Sequence, residues 1–74
     1  MYNYQIRLDT QKDIAVFVNI ATGLPHPVYL HNRDNSFRVS GKSLLGAMYT
    51  AEWREIFCEC EADIYYYIRN FVIE

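Results

Sequence analysis

With 74 residues, of which 51% are apolar and 16% aromatic, and with three Gly and two Pro, the chain has the composition of one compact domain and not of a disordered segment. Seven Lys and Arg are scattered among nine Asp and Glu for a formal net charge of -2, which leaves no basic footprint for nucleic acid or an anionic membrane surface. No apolar run reaches the length of a bilayer span and MYNYQIRLD lacks a signal-peptide core, so the mature chain is expected to begin at Met1 and to be cytoplasmic.

Tyr2, Tyr4, Ile6 and Leu8 alternate with Asn3, Gln5, Arg7 and Asp9, the period-2 pattern of a half-buried strand. Asp9 and Thr10 then cap a helix whose inward stripe is Ile14, Phe17, Val18 and Ala21, and Gly23 is expected to stop it in the left-handed conformation. Pro25 and Pro27 hold an extended segment before a short strand with Val28 and Leu30 on one face. Asn32–Asn35 reads as a turn, since Asn and Asp tolerate positive φ, and a third strand follows through Phe37 and Val39.

Gly41, Lys42 and Ser43 open a short helix bearing Leu44, Leu45 and Met48. A fourth strand turns Ile56, Cys58 and Cys60 inward and Glu59 and Glu61 outward. The two cysteines, one residue apart on one strand face, suit neither a disulfide nor a four-ligand zinc site and read as buried small hydrophobes. Ile64, Tyr67, Ile68, Phe71 and Val72 have the spacing of a last helix laid on a sheet. The order β-α-β-β-α-β-α predicts a two-layer α+β domain over residues 1–74. Its first strand, helix and second strand form a right-handed crossover, with the fourth strand inserted between the two strands.

Few residues point to chemistry. Gly41-Lys42-Ser43 looks like the end of a phosphate loop, but Ser36 stands where the first Gly belongs and a hairpin strand precedes it. His26 and His31 have no Cys, Asp or Glu at ligand spacing and are expected on the surface, so no metal or cofactor is assigned. No acid, base and nucleophile assemble locally, so an enzyme is not expected. In Tyr65-Tyr66-Tyr67 only Tyr67 lies on the inward stripe, which leaves Tyr65 and Tyr66 as an exposed aromatic pair suited to a homodimer contact.

The segment Gly41-Lys42-Ser43-Leu44-Leu45-Gly46-Ala47-Met48-Tyr49 resembles the second helix of HPr, the phosphocarrier of the bacterial sugar phosphotransferase system, where a Lys-Ser pair opens the helix and a Gly and a Met follow. The element order matches that family too. The resemblance implies an open-faced β-sandwich with a four-stranded antiparallel sheet in the order 1-4-2-3, covered on one face by three helices. It places Ser43 at the family's regulatory phosphorylation site, and Leu44, Ala47 and Met48 in the apolar patch presented to partner proteins. The family's phosphohistidine falls at Thr10, with Lys12 and Asp13 where its Arg and Pro belong, and a Thr hydroxyl cannot form the labile N–P bond of the relay. His26 follows the first helix and cannot replace it. The implied function is that of a divergent, regulatory or binding HPr-like protein. A small oligomerisation or ligand-sensing module is the alternative.

Overall fold

The computed structural model describes all residues from Met1 to Glu74. Strand β1 (Tyr2–Ile6) leads to helix α1 (Gln11–Thr22), strands β2 (Val28–His31) and β3 (Arg38–Ser40), helix α2 (Leu44–Met48), a 3-10 turn at Tyr49–Glu52, strand β4 (Ile56–Cys60) and helix α3 (Tyr65–Ile68). The sheet order is β1-β4-β2-β3 with every neighbouring pair antiparallel, the 1-4-2-3 arrangement expected of an open-faced sandwich.

The last strand in sequence holds the middle of the sheet. Cys58 lies opposite Tyr4 on β1 and Leu30 on β2, and Phe57 lies opposite Gln5 and His31. Its alternation separates two environments, with Ile56, Cys58 and Cys60 buried under the helices and Phe57 and Glu59 on the other face. Ile14, Phe17, Val18 and Ala21 of α1, Ala47 of α2, and Ile64 and Ile68 near α3 complete one core with Ile6, Leu8, Val28 and Leu30. Phe17 is fully enclosed and meets Phe71 edge-on, with ring centroids 5.7 Å apart.

Local chemistry explains the ends of the elements. Thr10 accepts from the Asp13 N–H at 3.0 Å, and the Asp13 carboxylate accepts from the Thr10 N–H at 3.3 Å, a reciprocal capping box that starts α1. Asn35 takes φ 61 in the turn between β2 and β3, where the Asn32 side chain also accepts from the Phe37 N–H. Gly41 is required by a close approach: a Cβ there would lie 2.9 Å from Val28 Cγ1 and 3.2 Å from its carbonyl oxygen.

Several sequence expectations give way. Gly23 ends α1 at φ -77, not left-handed, because its N–H still closes on the Ile20 carbonyl as a last tight turn. Tyr2 and Phe37 are exposed, since each lies at the margin of the helix layer. His31 is buried, because β2 is an inner strand and not an edge. The final seam is not one helix: after Ile68 the chain turns and Val72 bridges to Ile6. The Arg7 N–H donates to the Phe71 carbonyl at 2.8 Å and the Ile73 N–H to the Gln5 carbonyl at 2.9 Å. Satisfying that strand edge replaces further helical turns and leaves Tyr67 exposed. Removing the ring that α1 places at the centre of this core, with Phe17→Ala, is expected to lower unfolding free energy by about 3–5 kcal/mol, read from urea unfolding midpoints.

Candidate functional site

Four regions can be compared as functional surfaces: the α2–β3 edge, the start of α1, the uncovered sheet face and the tyrosine run. The first begins with Ser43, whose hydroxyl oxygen accepts from the Gly46 N–H at 3.0 Å and caps α2. Gly46 lets the helix sit tightly on β3, since a Cβ there would stand 3.3 Å from both Val39 Cβ and Ser43 Oγ. With Gly46 and Ala47 turned to the protein, Leu44, Leu45, Met48 and Tyr49 are left outside. Leu45, Met48 and Tyr49 follow i, i+3, i+4 spacing and share a face. Leu45 is 70% exposed, Tyr49 60% and Phe37 61%.

Tyr49 and Phe37 extend this face into a groove of about 400 Å³ lined also by Arg38, Val39, Glu52 and Trp53. Ala47 does not belong to the surface. It is fully buried in the core, so the implied partner patch of Leu44, Ala47 and Met48 is corrected to one without it. Leu45, Tyr49, Phe37 and Trp53 were missed by the resemblance, which supplies a helix segment but not the strand and turn packed beside it.

The start of α1 opens a cleft of about 550 Å³ lined by Arg7, Thr10, Gln11, Thr50, Arg54 and Glu55 among others. Thr10 is held in the capping box, and Arg7 and Glu55 pair with Asp9 and Arg33. The two histidines lie elsewhere: His26 approaches Glu61 at 3.4 Å, and His31 sits on the sheet face away from the helices. The cleft therefore presents an exposed hydroxyl and guanidinium groups without an imidazole.

On the uncovered face His31 stacks on Phe57 with centroids 5.5 Å apart. Its Nδ1 lies 2.8 Å from the Asn32 carbonyl oxygen, which makes that nitrogen the donor, and its Nε2 lies 3.1 Å from Asn3 Nδ2, from which it accepts in the neutral ring. Arg38 beside it pairs with Glu59 at 2.9 Å and lies over the Tyr29 ring. The Arg38 hydrogen bond holds the Glu59 carboxyl below its ordinary range. Both ring nitrogens of His31 are thus engaged. Cys58 is equally inert, because burial first, and then the neighbouring Cys60 and Glu59, push its thiol up to about 12.

Tyr65 and Tyr66 are exposed as expected, but they are not one flat patch. Tyr66 meets Tyr67 edge-on and carries Arg69 over its ring, while the Tyr65 hydroxyl donates to Glu74. The Tyr4 hydroxyl donates to Asp63, and the same carboxylate accepts from the Tyr65 N–H at 3.0 Å. Those contacts, the Tyr4 bond foremost, hold Asp63 below the usual range; desolvation, then Asp63, push Tyr4 up to about 12. The fold therefore holds the neutral phenol. This contribution to stability is complete below the ordinary phenol value of about 10 and is lost as pH rises through about 12. Tyr4→Phe is expected to flatten that alkaline decline in unfolding free energy measured from pH 9 upward.

No protein-family model, curated protein or solved structure matches the chain.

Proposed function

We propose that the chain is a non-catalytic, divergent HPr-like binding domain, regulatory rather than phosphate-relaying, whose partners dock on the α2–β3 face. The observation that carries this reading is the contiguous exposure of Leu44, Leu45, Met48, Tyr49 and Phe37 on a helix fixed tightly to a strand. A monomeric surface scatters its apolar side chains, whereas a cluster with a polar rim marks a contact surface. The strand order supports the HPr-like part of the proposal, and Thr10 at the α1 cap supports the departure from histidine relay.

Ser43 gives that surface a control point. Its hydroxyl lies at the head of α2, next to Leu44. A phosphate there would add about 1.5–2 negative charges beside the apolar face and oppose an apolar partner through desolvation. Treatment with an HPr-directed serine kinase and ATP is expected to label Ser43 and to leave Ser43→Ala unlabelled; an unlabelled wild-type chain removes the regulatory part of the proposal. Loss of the cap in that variant costs about 1 kcal/mol, so its fold is checked by circular dichroism.

Docking itself is tested by placing a photoreactive side chain at Leu45 or Tyr49 in cells. These positions are expected to give discrete protein adducts, while Asn19 on α1 and Tyr66 give none. Absence of adducts at both Leu45 and Tyr49, or equal adducts at all four, overturns the docking face.

A further inference from the structure

The α2–β3 face ends at a strand edge, and the hydrogen-bond phase of that edge is fixed. The Asn32 N–H donates to the Phe37 carbonyl at 3.2 Å and the Gly41 N–H to the Val28 carbonyl at 2.6 Å, with Leu30 opposite Val39 between them. In an antiparallel ladder the alternate residues then direct their main-chain groups away from the partner strand. Those residues are Arg38 and Ser40. Their amides and carbonyls face outward from β2, and the Ser40 carbonyl also accepts from the Ser43 N–H at 3.2 Å. No strand of the chain pairs with this edge, and only the Ser40 carbonyl has an intrachain partner there. At the opposite side of the sheet, by contrast, the Val72 bridge closes the outer edge of β1 around Ile6.

We infer that the partner of this face is a second copy of the chain, joined by antiparallel pairing of β3 with β3 about a two-fold axis at Val39. The inference rests on the docking reading above and names its partner. Arg38 of one copy would lie opposite Ser40 of the other, so each outward amide meets a carbonyl and the two sheets become one of eight strands. The same axis lays the two α2 helices side by side and antiparallel over the joined edge. An isologous contact of this kind is self-complementary only if the surface carries its own matching groups, and this one does.

The charges fit the same axis. Glu52, at the Phe37 end of the groove, has no ion-pair partner within its own chain. The axis that sets Phe37 against Gly41 of the other copy brings Glu52 toward the other copy's Lys42. The ammonium of Lys42 is bound within its own chain only to the Leu24 carbonyl, at 2.7 Å. Arg38 lies diagonally across the axis from Arg38 of the other copy, and each is paired with Glu59 of its own chain. The area fits as well. Leu44, Leu45, Met48, Tyr49 and Phe37 together expose on the order of 600 Å², the upper limit of apolar patches on ordinary monomers. That is about three quarters of the roughly 800 Å² that each partner buries in a standard interface, and the strand edge with its flanking polar groups supplies the remainder.

Sedimentation of the wild-type chain from micromolar to several hundred micromolar concentration is expected to show a monomer–dimer equilibrium, with Leu45→Glu and Tyr49→Glu each raising its dissociation constant at least tenfold. Both side chains are exposed, so neither change disturbs the core. In a second arm, Val39→Cys places two thiols across the proposed axis in a non-hydrogen-bonded pair, a separation that a disulfide spans. Mild oxidation is expected to yield a covalent dimer from Val39→Cys and not from Tyr66→Cys, the native Cys58 and Cys60 being buried.

A wild-type chain that stays monomeric throughout overturns the self-pairing. Adducts of other proteins at Leu45 in that case preserve the docking face and assign it to a different partner. A dimer indifferent to both Glu substitutions and trapped through Tyr66→Cys overturns both readings and moves the contact to the tyrosine run.

Discussion

Everything in this domain is arranged around β4, because a strand inserted between β1 and β2 must satisfy two ladders and two faces at once. Its five residues give one inward row of Ile56, Cys58 and Cys60 under the helix layer, and an outward row in which Phe57 supports His31 and Glu59 holds Arg38. The two cysteines share the core with Phe17. Their chemistry is suppressed by the same burial that makes them useful there. The sheet also cannot be completed until the chain has passed through both hairpin strands and α2, so its central pairings are non-local.

Packing around that strand decides what is left exposed. The helix layer covers one face, the other face satisfies itself through the Asn3–His31–Asn32 and Arg38–Glu59 contacts, and the C-terminal residues attach to β1. What remains unsatisfied is concentrated at β3 and α2. Gly46 is central to this concentration: it allows α2 to settle onto Val39, which buries Ala47 and turns the longer apolar side chains outward as one group. The surface is thus a by-product of close packing beneath it.

Much of the architecture was legible because short-range rules specify it. The period-2 alternation of β4, the Ile14–Phe17–Val18–Ala21 stripe, the capping residues Thr10 and Ser43 and the Asn-rich turn all reappear where elementary preferences place them. The misreadings share a different origin. His31 looks like an exposed polar residue until Phe57 and Asn3 arrive from distant strands. Phe71 and Val72 continue a helical spacing perfectly well, yet the unpaired edge of β1 claims them. Ala47 was assigned to the surface by likeness to a known helix, whereas its small size marks the side that packs closely. In each case a long-range partner, invisible to local pattern, decided the outcome.

The short strap formed by Phe71, Val72 and Ile73 also bears on how far the proposed edge pairing could extend. A sheet with two free edges adds strands at both ends and grows without limit, the route to fibres. With the strap seated against Gln5 and Arg7, the molecule has one edge blunted and one available. Edge pairing of the kind proposed for β3 would then find the Gln5 carbonyl and the Arg7 N–H already engaged, so Phe71, Val72 and Ile73 would oppose continued growth at the far side of the sheet.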